Sequence, residues 1–143
     1  MGKGKWDQYL QFAPENLRDR IIYKEPVPEI EKYYSAADIF ALPSIYEPFG
    51  NANLEALASG LPVITTRHCG AADIIQHKLN GLIVENSESP KEIADNINTL
   101  FDPTLRESIS QNARGLAEQF SVGKNTQEML KTYLEIISVQ KNK

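Results

Sequence analysis

Residues 42–65 read LPSIYEPFGNANLEALASGLPVIT. An apolar strand end runs into a loop at Pro43, the loop carries Glu47, and Pro48 biases that glutamate toward extended backbone. Gly50 lets the chain turn with positive φ or approach a ligand closely. Asn51 is then the expected N-cap of a helix, which leaves the amides of Ala52, Asn53 and Leu54 in an unpaired first turn. Free amides at the positive end of a helix dipole suit a phosphate or diphosphate. Glu55 lies about one turn further in, where its carboxylate can accept from vicinal hydroxyls such as those of a ribose. Gly60-Leu61-Pro62 ends the helix, and 62–66 supplies the next strand. A plainer reading stays open on spacing alone: Glu47 a solvated loop charge, Glu55 an acid favoured near a helix start, and Pro48-Phe49-Gly50 a turn with a buried ring.

Before this stretch, Ile39-Phe40-Ala41-Leu42 is an apolar run closed by Pro43 and reads as a central parallel strand. Residues 29–37 carry Ile30, Tyr33, Tyr34 and Ala37 at helical spacing, with both tyrosines expected in the core. Ile21, Ile22 and Tyr23 within 20–24 suit another buried strand, and Pro26 and Pro28 break the chain after it. Residues 5–12 suit a short helix, and Gly2 and Gly4 before it read as a permissive loop. After the central stretch, 73–75 suggests a short helix, Asn80-Gly81 a turn and Leu82-Ile83-Val84 the last strand. Ser87 or Ser89 caps a helix from Pro90, with Ile93, Ala94, Ile97, Leu100 and Phe101 on one face. Asp102-Pro103 starts a second, striped by Leu105, Ile109, Ala113, Leu116 and Phe120. Ser121 caps a third, carrying Met129, Leu130, Tyr133, Leu134 and Ile137. All three stripes are read as core faces. Strands alternating with helices over the first 84 residues predict an α/β fold: a Rossmann-like parallel sheet with flanking helices, and ligands outside the carboxyl ends of its strands.

Composition narrows the function classes. The chain has 143 residues, 41% apolar and 24% charged, a globular balance. Its net charge of −4 disfavours a nucleic-acid partner gripped through phosphates. Cys69 is the single cysteine, and only His68 and His77 join it, so neither a disulfide framework nor a protein-held transition metal is expected. No run approaches the roughly 18–20 apolar residues of a membrane span, and no secretory h-region opens the chain, which predicts a soluble cytosolic protein. Met1-Gly2 fails as a myristoylation signal because Trp6 stands where Ser or Thr is required. Ser121-Val122-Gly123-Lys124 lacks the first glycine and the closing Ser/Thr of a phosphate loop.

Glu47-Pro48-Phe49-Gly50, then Leu54-Glu55-Ala56, then Gly60-Leu61-Pro62-Val63-Ile64 resembles the signature of retaining nucleotide-sugar glycosyltransferases of family 4, which have the GT-B fold. The hallmark of that family is two glutamates separated by seven residues, and Glu47 and Glu55 have this separation. The similarity extends over YYSAADIFALPS at 33–44, over 70–84 and over 114–121. The resemblance implies that Glu55 contacts the nucleotide ribose and that Glu47 is the catalytic residue beside the transferred sugar. Backbone amides of Phe49, Gly50, Asn51, Ala52, Asn53 and Leu54 would meet the donor sugar and distal phosphate, and Val27 the base. The Cys69-Gly70 pair resembles some lipopolysaccharide-core glucosyltransferases; Cys69 itself is read as a small packing residue, and His68 as a neighbour of the donor loop.

The implied reaction moves a glycosyl group from a nucleotide diphosphate sugar to a hydroxyl acceptor with retention, in cell-surface polysaccharide or lipopolysaccharide synthesis. It implies no cofactor and no metal, a glycan or glycolipid acceptor, a cytoplasmic location and contact of the parent with the inner face of a membrane. A family member carries an N-terminal acceptor domain and a basic diphosphate grip ahead of the first residues seen here. The expectation is therefore a partial donor-binding domain, the incomplete C-terminal half of a GT-B enzyme, inactive by itself. In a 3-2-1-4-5-6 sheet, 21–23 would be the third strand and 39–42 the fourth, with an open apolar edge. A non-catalytic nucleotide-sugar-binding fragment, and an epimerase or phosphorylase of the same fold, are the alternatives.

Overall fold

The computed structural model describes residues 7–141. Gly2, Gly4 and the first part of the 5–12 helix lie outside the described residues. Seven helices are described: α1 (Asp7–Leu10), α2 (Glu15–Arg18), α3 (Ile30–Ala36), α4 (Asn51–Ala58), α5 (Pro90–Thr99), α6 (Pro103–Ala117) and α7 (Val122–Lys141). Three strands, β1 (Phe40–Leu42), β2 (Val63–Thr66) and β3 (Leu82–Val84), form one parallel sheet in the order β1-β2-β3. Phe40 pairs with Val63 and Ile64 with Leu82, so each adjacent pair is joined by a crossover, as the alternating pattern predicted.

β2 and β3 are buried along their whole length, which is what their continuous apolar runs require. Alternate residues feed two cores. Val63 and Ile83 join Tyr34, Ala56, Leu57, Leu61, Ala113 and Ala117 on one side, while Ile64, Leu82 and Val84 pack with Leu100 and Ile109 on the other. Small residues on α4 and α6 let those helices meet, and Ser110 Oγ ties them by donating to the Gly60 carbonyl. The end of α4 is a Schellman turn. Gly60 takes φ 78°, its amide donates to the Leu57 carbonyl at 2.9 Å, and Leu61 donates to Ala56 at 3.0 Å. Leu61 is thereby folded into the core beside the helix it leaves.

Several expectations need correction. Residues 20–24 form no strand, and Ile22 is 77% exposed. A strand needs a ladder, and no described strand lies beside this one to offer it. β1 is parallel as predicted and lies at the edge of the described sheet, as the 3-2-1-4-5-6 order implies and not at its centre as the apolar run alone suggested, with Ala41 exposed. Only Tyr34 of the two tyrosines is buried; Tyr33 is exposed. The helix expected at 73–75 is a 3-10 turn over Gly70–Asp73. Ala94, Phe101 and Phe120 are exposed despite their place on apolar stripes. On α7 the entire stripe of Met129, Leu130, Tyr133, Leu134 and Ile137 is exposed, so it is no core face among the described residues. Amphipathic spacing fixes which side of a helix is apolar, not whether anything covers it. No described helix is long and apolar enough to cross a membrane.

Candidate functional site

The carboxyl end of the sheet is built by the loop after β1. Its exit is tied to β2, where Thr65 Oγ1 donates to the Leu42 carbonyl at 3.3 Å and Thr66 Oγ1 to the Ser44 carbonyl at 2.5 Å. Further along, Glu47 makes an isolated parallel bridge to Cys69. The Glu47 amide donates to the His68 carbonyl at 3.3 Å, the Gly70 amide to the Glu47 carbonyl at 3.0 Å, and the Ala71 amide to the Phe49 carbonyl at 3.0 Å. This ladder explains Gly70, since a Cβ there would stand 2.0 Å from the Pro48 carbonyl oxygen. The loop can lie this close only against a bare backbone.

Helix α4 begins differently from the sequence expectation. Its cap is Gly50 at φ 76°, with no side-chain cap bond, and Asn51 is the first helical residue, exposed to solvent. The left-handed turn at Gly50 carries the chain from loop to helix, a conformation that glycine adopts without strain. The Asn53 amide is not free, because it donates to the Gly50 carbonyl at 2.8 Å. Asn51 and Ala52 supply the first-turn amides that lack an intrahelical acceptor.

Around Gly50 three side chains converge. A Cβ on that residue would stand 2.7 Å from Asn53 Nδ2, 3.0 Å from Glu47 Cγ and 3.2 Å from Cys69 Sγ. Asn53 is fully buried; its Nδ2 donates to Cys69 Sγ at 3.2 Å, and that thiol donates to the Phe49 carbonyl at 3.2 Å. The Asn53 Oδ1 has no hydrogen-bond partner among the described residues. A buried acceptor left unpaired costs about 1–3 kcal/mol, so the carboxamide is kept here against a stability penalty.

Glu55 stands on the exposed side of α4, where its Oε2 accepts from the Tyr34 hydroxyl at 3.0 Å. Burial, then the hydrogen bond and the charge of Glu55, push the Tyr34 hydroxyl up to about 12, so it remains a donor at neutral pH. Tyr34 is also fixed from behind by an edge-on contact with Phe40, ring centroids 5.7 Å apart. Beside it runs an apolar groove of about 450 Å³ whose walls include Val27, Ile30, Tyr34, Leu42, Ala52 and Leu61.

The predicted residues thus fall into two groups. Glu47, Phe49, Gly50 and Asn53 meet at the loop, while Val27 and Ala52 meet in the groove that Tyr34 links to Glu55. Leu54 turns its side chain against the core and offers the site only its backbone. Sequence reasoning did not single out Tyr34 as the partner of Glu55, nor Cys69 as a hydrogen-bonded member of the loop. No group of three or more His, Cys, Asp or Glu among the described residues could hold a metal ion.

Residues 1–116 match the family described as glycosyl transferases group 1. The chain belongs to that family. A relative described as an uncharacterized glycosyltransferase of Methanocaldococcus jannaschii is 36% identical over 145 residues, spanning 95% of this chain and 37% of its own. Among solved structures, sucrose-phosphate synthase from Thermosynechococcus elongatus is similar with 27% identity and a TM-score of 0.83, over 93% of this chain and 34% of that one. Anabaena Alr3699/HepE in complex with UDP-glucose is similar with 28% identity and a TM-score of 0.81, over 90% and 36%. These GT-B neighbours share the parallel sheet with flanking helices. The chain spans about a third of the length of the curated relatives it matches.

Proposed function

We propose that this chain is the donor-binding part of a retaining nucleotide-sugar glycosyltransferase of family 4. One observation carries the reading: Val27, Tyr34 and Ala52 line a single groove, and the Tyr34 hydroxyl donates to Glu55. A base against Val27, ribose hydroxyls donating to Glu55, and a diphosphate at the amides of Asn51 and Ala52 would lie along one continuous path. In this reading the backbone from Phe49 to Leu54 borders the distal phosphate and the sugar, and Glu47 is the catalytic carboxylate at the sugar end. The solved complex of Alr3699/HepE with UDP-glucose supports a nucleotide sugar as ligand for this fold.

In the proposed reaction the acceptor oxygen bonds to the anomeric carbon on the face from which the diphosphate departs. The glycosidic C–O bond to the diphosphate breaks, its electron pair stays on the leaving oxygen, and that group receives the acceptor proton. Positive character at the anomeric carbon is stabilised by the carboxylate of Glu47, and the departing negative charge by the amides and dipole of α4. Positioning and charge are the enzyme's contribution, and no metal or other cofactor is assigned to it. The acceptor, a glycan or glycolipid of cell-surface polysaccharide or lipopolysaccharide synthesis, would be held by a second domain of a longer parent at the cytoplasmic face of a membrane. The 143 residues would then bind donor without turning it over.

Calorimetric titration of the chain with UDP and UDP-glucose tests this reading. Saturable binding is expected, weakened at least about tenfold by Glu55→Ala, in keeping with loss of charge-assisted hydrogen bonds. Absence of binding by every nucleotide sugar tried, or binding that Glu55→Ala leaves unchanged, would defeat it.

A further inference from the structure

We propose that Asn53 and Cys69 form a positioning pair that holds the backbone of residues 47–50 for the sugar end of a nucleotide sugar. The inference deepens the donor-site reading above and rests on it. Backbone bonds attach Glu47 and Phe49 to the 68–71 segment, and the one described side-chain hydrogen-bond link to residues 47–50 is the relay from Asn53 Nδ2 through Cys69 Sγ to the Phe49 carbonyl. The relay starts on the third residue of α4 and ends on the residue before its cap, so it closes a ring across Gly50. Gly50 has to lack a side chain for this ring to close, since a Cβ would meet the carboxamide at 2.7 Å.

The second observation is the Asn53 carboxamide itself. It is fully buried with Oδ1 unpartnered, so the thiol is its single described side-chain partner. A thiol is a weak acceptor and a weak donor, yet it occupies both roles here. Glu47 is joined to Cys69 by the parallel bridge, and its Cγ packs against Gly50, around which the relay closes. Displacing the relay would therefore move Glu47 and the Phe49 peptide, which face the sugar in the donor reading, and leave Glu55, Tyr34 and Val27 where they are. Neither side chain touches the ligand in this arrangement. Their effect passes through the loop.

Two measurements on the 143-residue chain decide it. The first needs no ligand: amide hydrogen exchange at Gly70 and Ala71, whose protons are bonded to the Glu47 and Phe49 carbonyls. Asn53→Ala and Cys69→Ala should each speed those two amides about tenfold, as loss of a hydrogen-bonded link implies. The Arg67 amide, bonded to the Val84 carbonyl, serves as an internal control and should not change. Cys69→Ser, whose hydroxyl both accepts and donates, should restore protection to within about threefold of the native chain. Unchanged exchange in Cys69→Ala, or no recovery in Cys69→Ser, overturns the proposal. Should Asn53→Ala fail to fold, the two Cys69 variants carry the comparison.

The second measurement is titration with UDP and with UDP-glucose. Cys69→Ala should weaken UDP-glucose about tenfold while changing UDP by less than about threefold, because only the sugar end is displaced. Equal weakening of both ligands overturns the assignment to the sugar end. If the native chain binds neither, the donor reading fails, and the exchange result still decides whether the pair holds the loop.

Discussion

At Gly70 the Pro48 carbonyl oxygen lies 2.0 Å from where a side chain would begin. Neither backbone can yield without breaking the bridge between Glu47 and Cys69, so Gly70→Ala should cost about 2–4 kcal/mol by overpacking, read from denaturant unfolding. Gly115 makes a useful contrast, since nothing lies within 4 Å of its Cβ position inside α6. Gly115→Ala should raise stability by about 0.5–1 kcal/mol in the same assay. Both glycines look alike in sequence. Gly50 was legible there because it follows Pro48-Phe49 and precedes a helix, and a positive φ is a local demand. Gly70 answers to a carbonyl some twenty residues earlier, and Glu55 to a hydroxyl as distant; no local pattern could have announced Tyr34. Asn51 was misplaced by one residue, because a glycine in the left-handed region can open a helix where a polar cap is the commoner choice.

Helix starts elsewhere were read correctly for the same local reason. Ser89 accepts from the Glu92 amide, and Asp102 from those of Thr104 and Leu105, each followed by proline at the first turn. What failed was whatever depended on a neighbour: 20–24 had the composition of a strand without a ladder, and α7 the stripe of a core helix without a core. The turn before β3 offers a pH test. His77 Nδ1 accepts from the Ile83 amide at 3.0 Å, a bond that needs this nitrogen unprotonated. Burial first, and then the charge of Lys78, hold the imidazole below its ordinary pKa of 6.5, with Glu85 and Glu92 opposing and Arg67 reinforcing. The folded chain therefore binds this proton less readily than the unfolded chain does. Stability from this residue is complete above the ordinary value and declines as pH falls below about 6.5, where the unfolded form is protonated first. Thermal unfolding followed from pH 8 to about 5 should show that decline. His77→Asn, which keeps an acceptor near Nδ1 and does not titrate, should flatten it; an identical slope in the variant would exclude His77 as its source.

The sheet and its two cores are self-consistent, whereas α7 rests against the Glu118–Phe120 turn with residues 122–140 exposed. Replacing Leu130 and Leu134 by glutamate should therefore leave the unfolding transition within about 0.5 kcal/mol of the native one. The same change should reduce self-association in sedimentation velocity, because a continuous apolar stripe invites it. A large loss of stability would mean that α7 is packed in solution. The fold class, and with it the placing of the loop after β1 at the strand ends, was readable from the alternating pattern, since parallel crossovers leave few topologies. The open edge of β1 followed from the same reasoning once its neighbours were counted. One consequence concerns the order in which the chain folds. Phe40 reaches Val63 and Ile64 reaches Leu82 by closures of roughly twenty residues, and such closures differ little in entropic cost. The bridge from Glu47 to Cys69 spans a closure of the same size, starting within the first crossover and ending just past β2. With no difference in closure cost to separate them, loop and sheet are expected to form together, and refolding signals from the two should coincide.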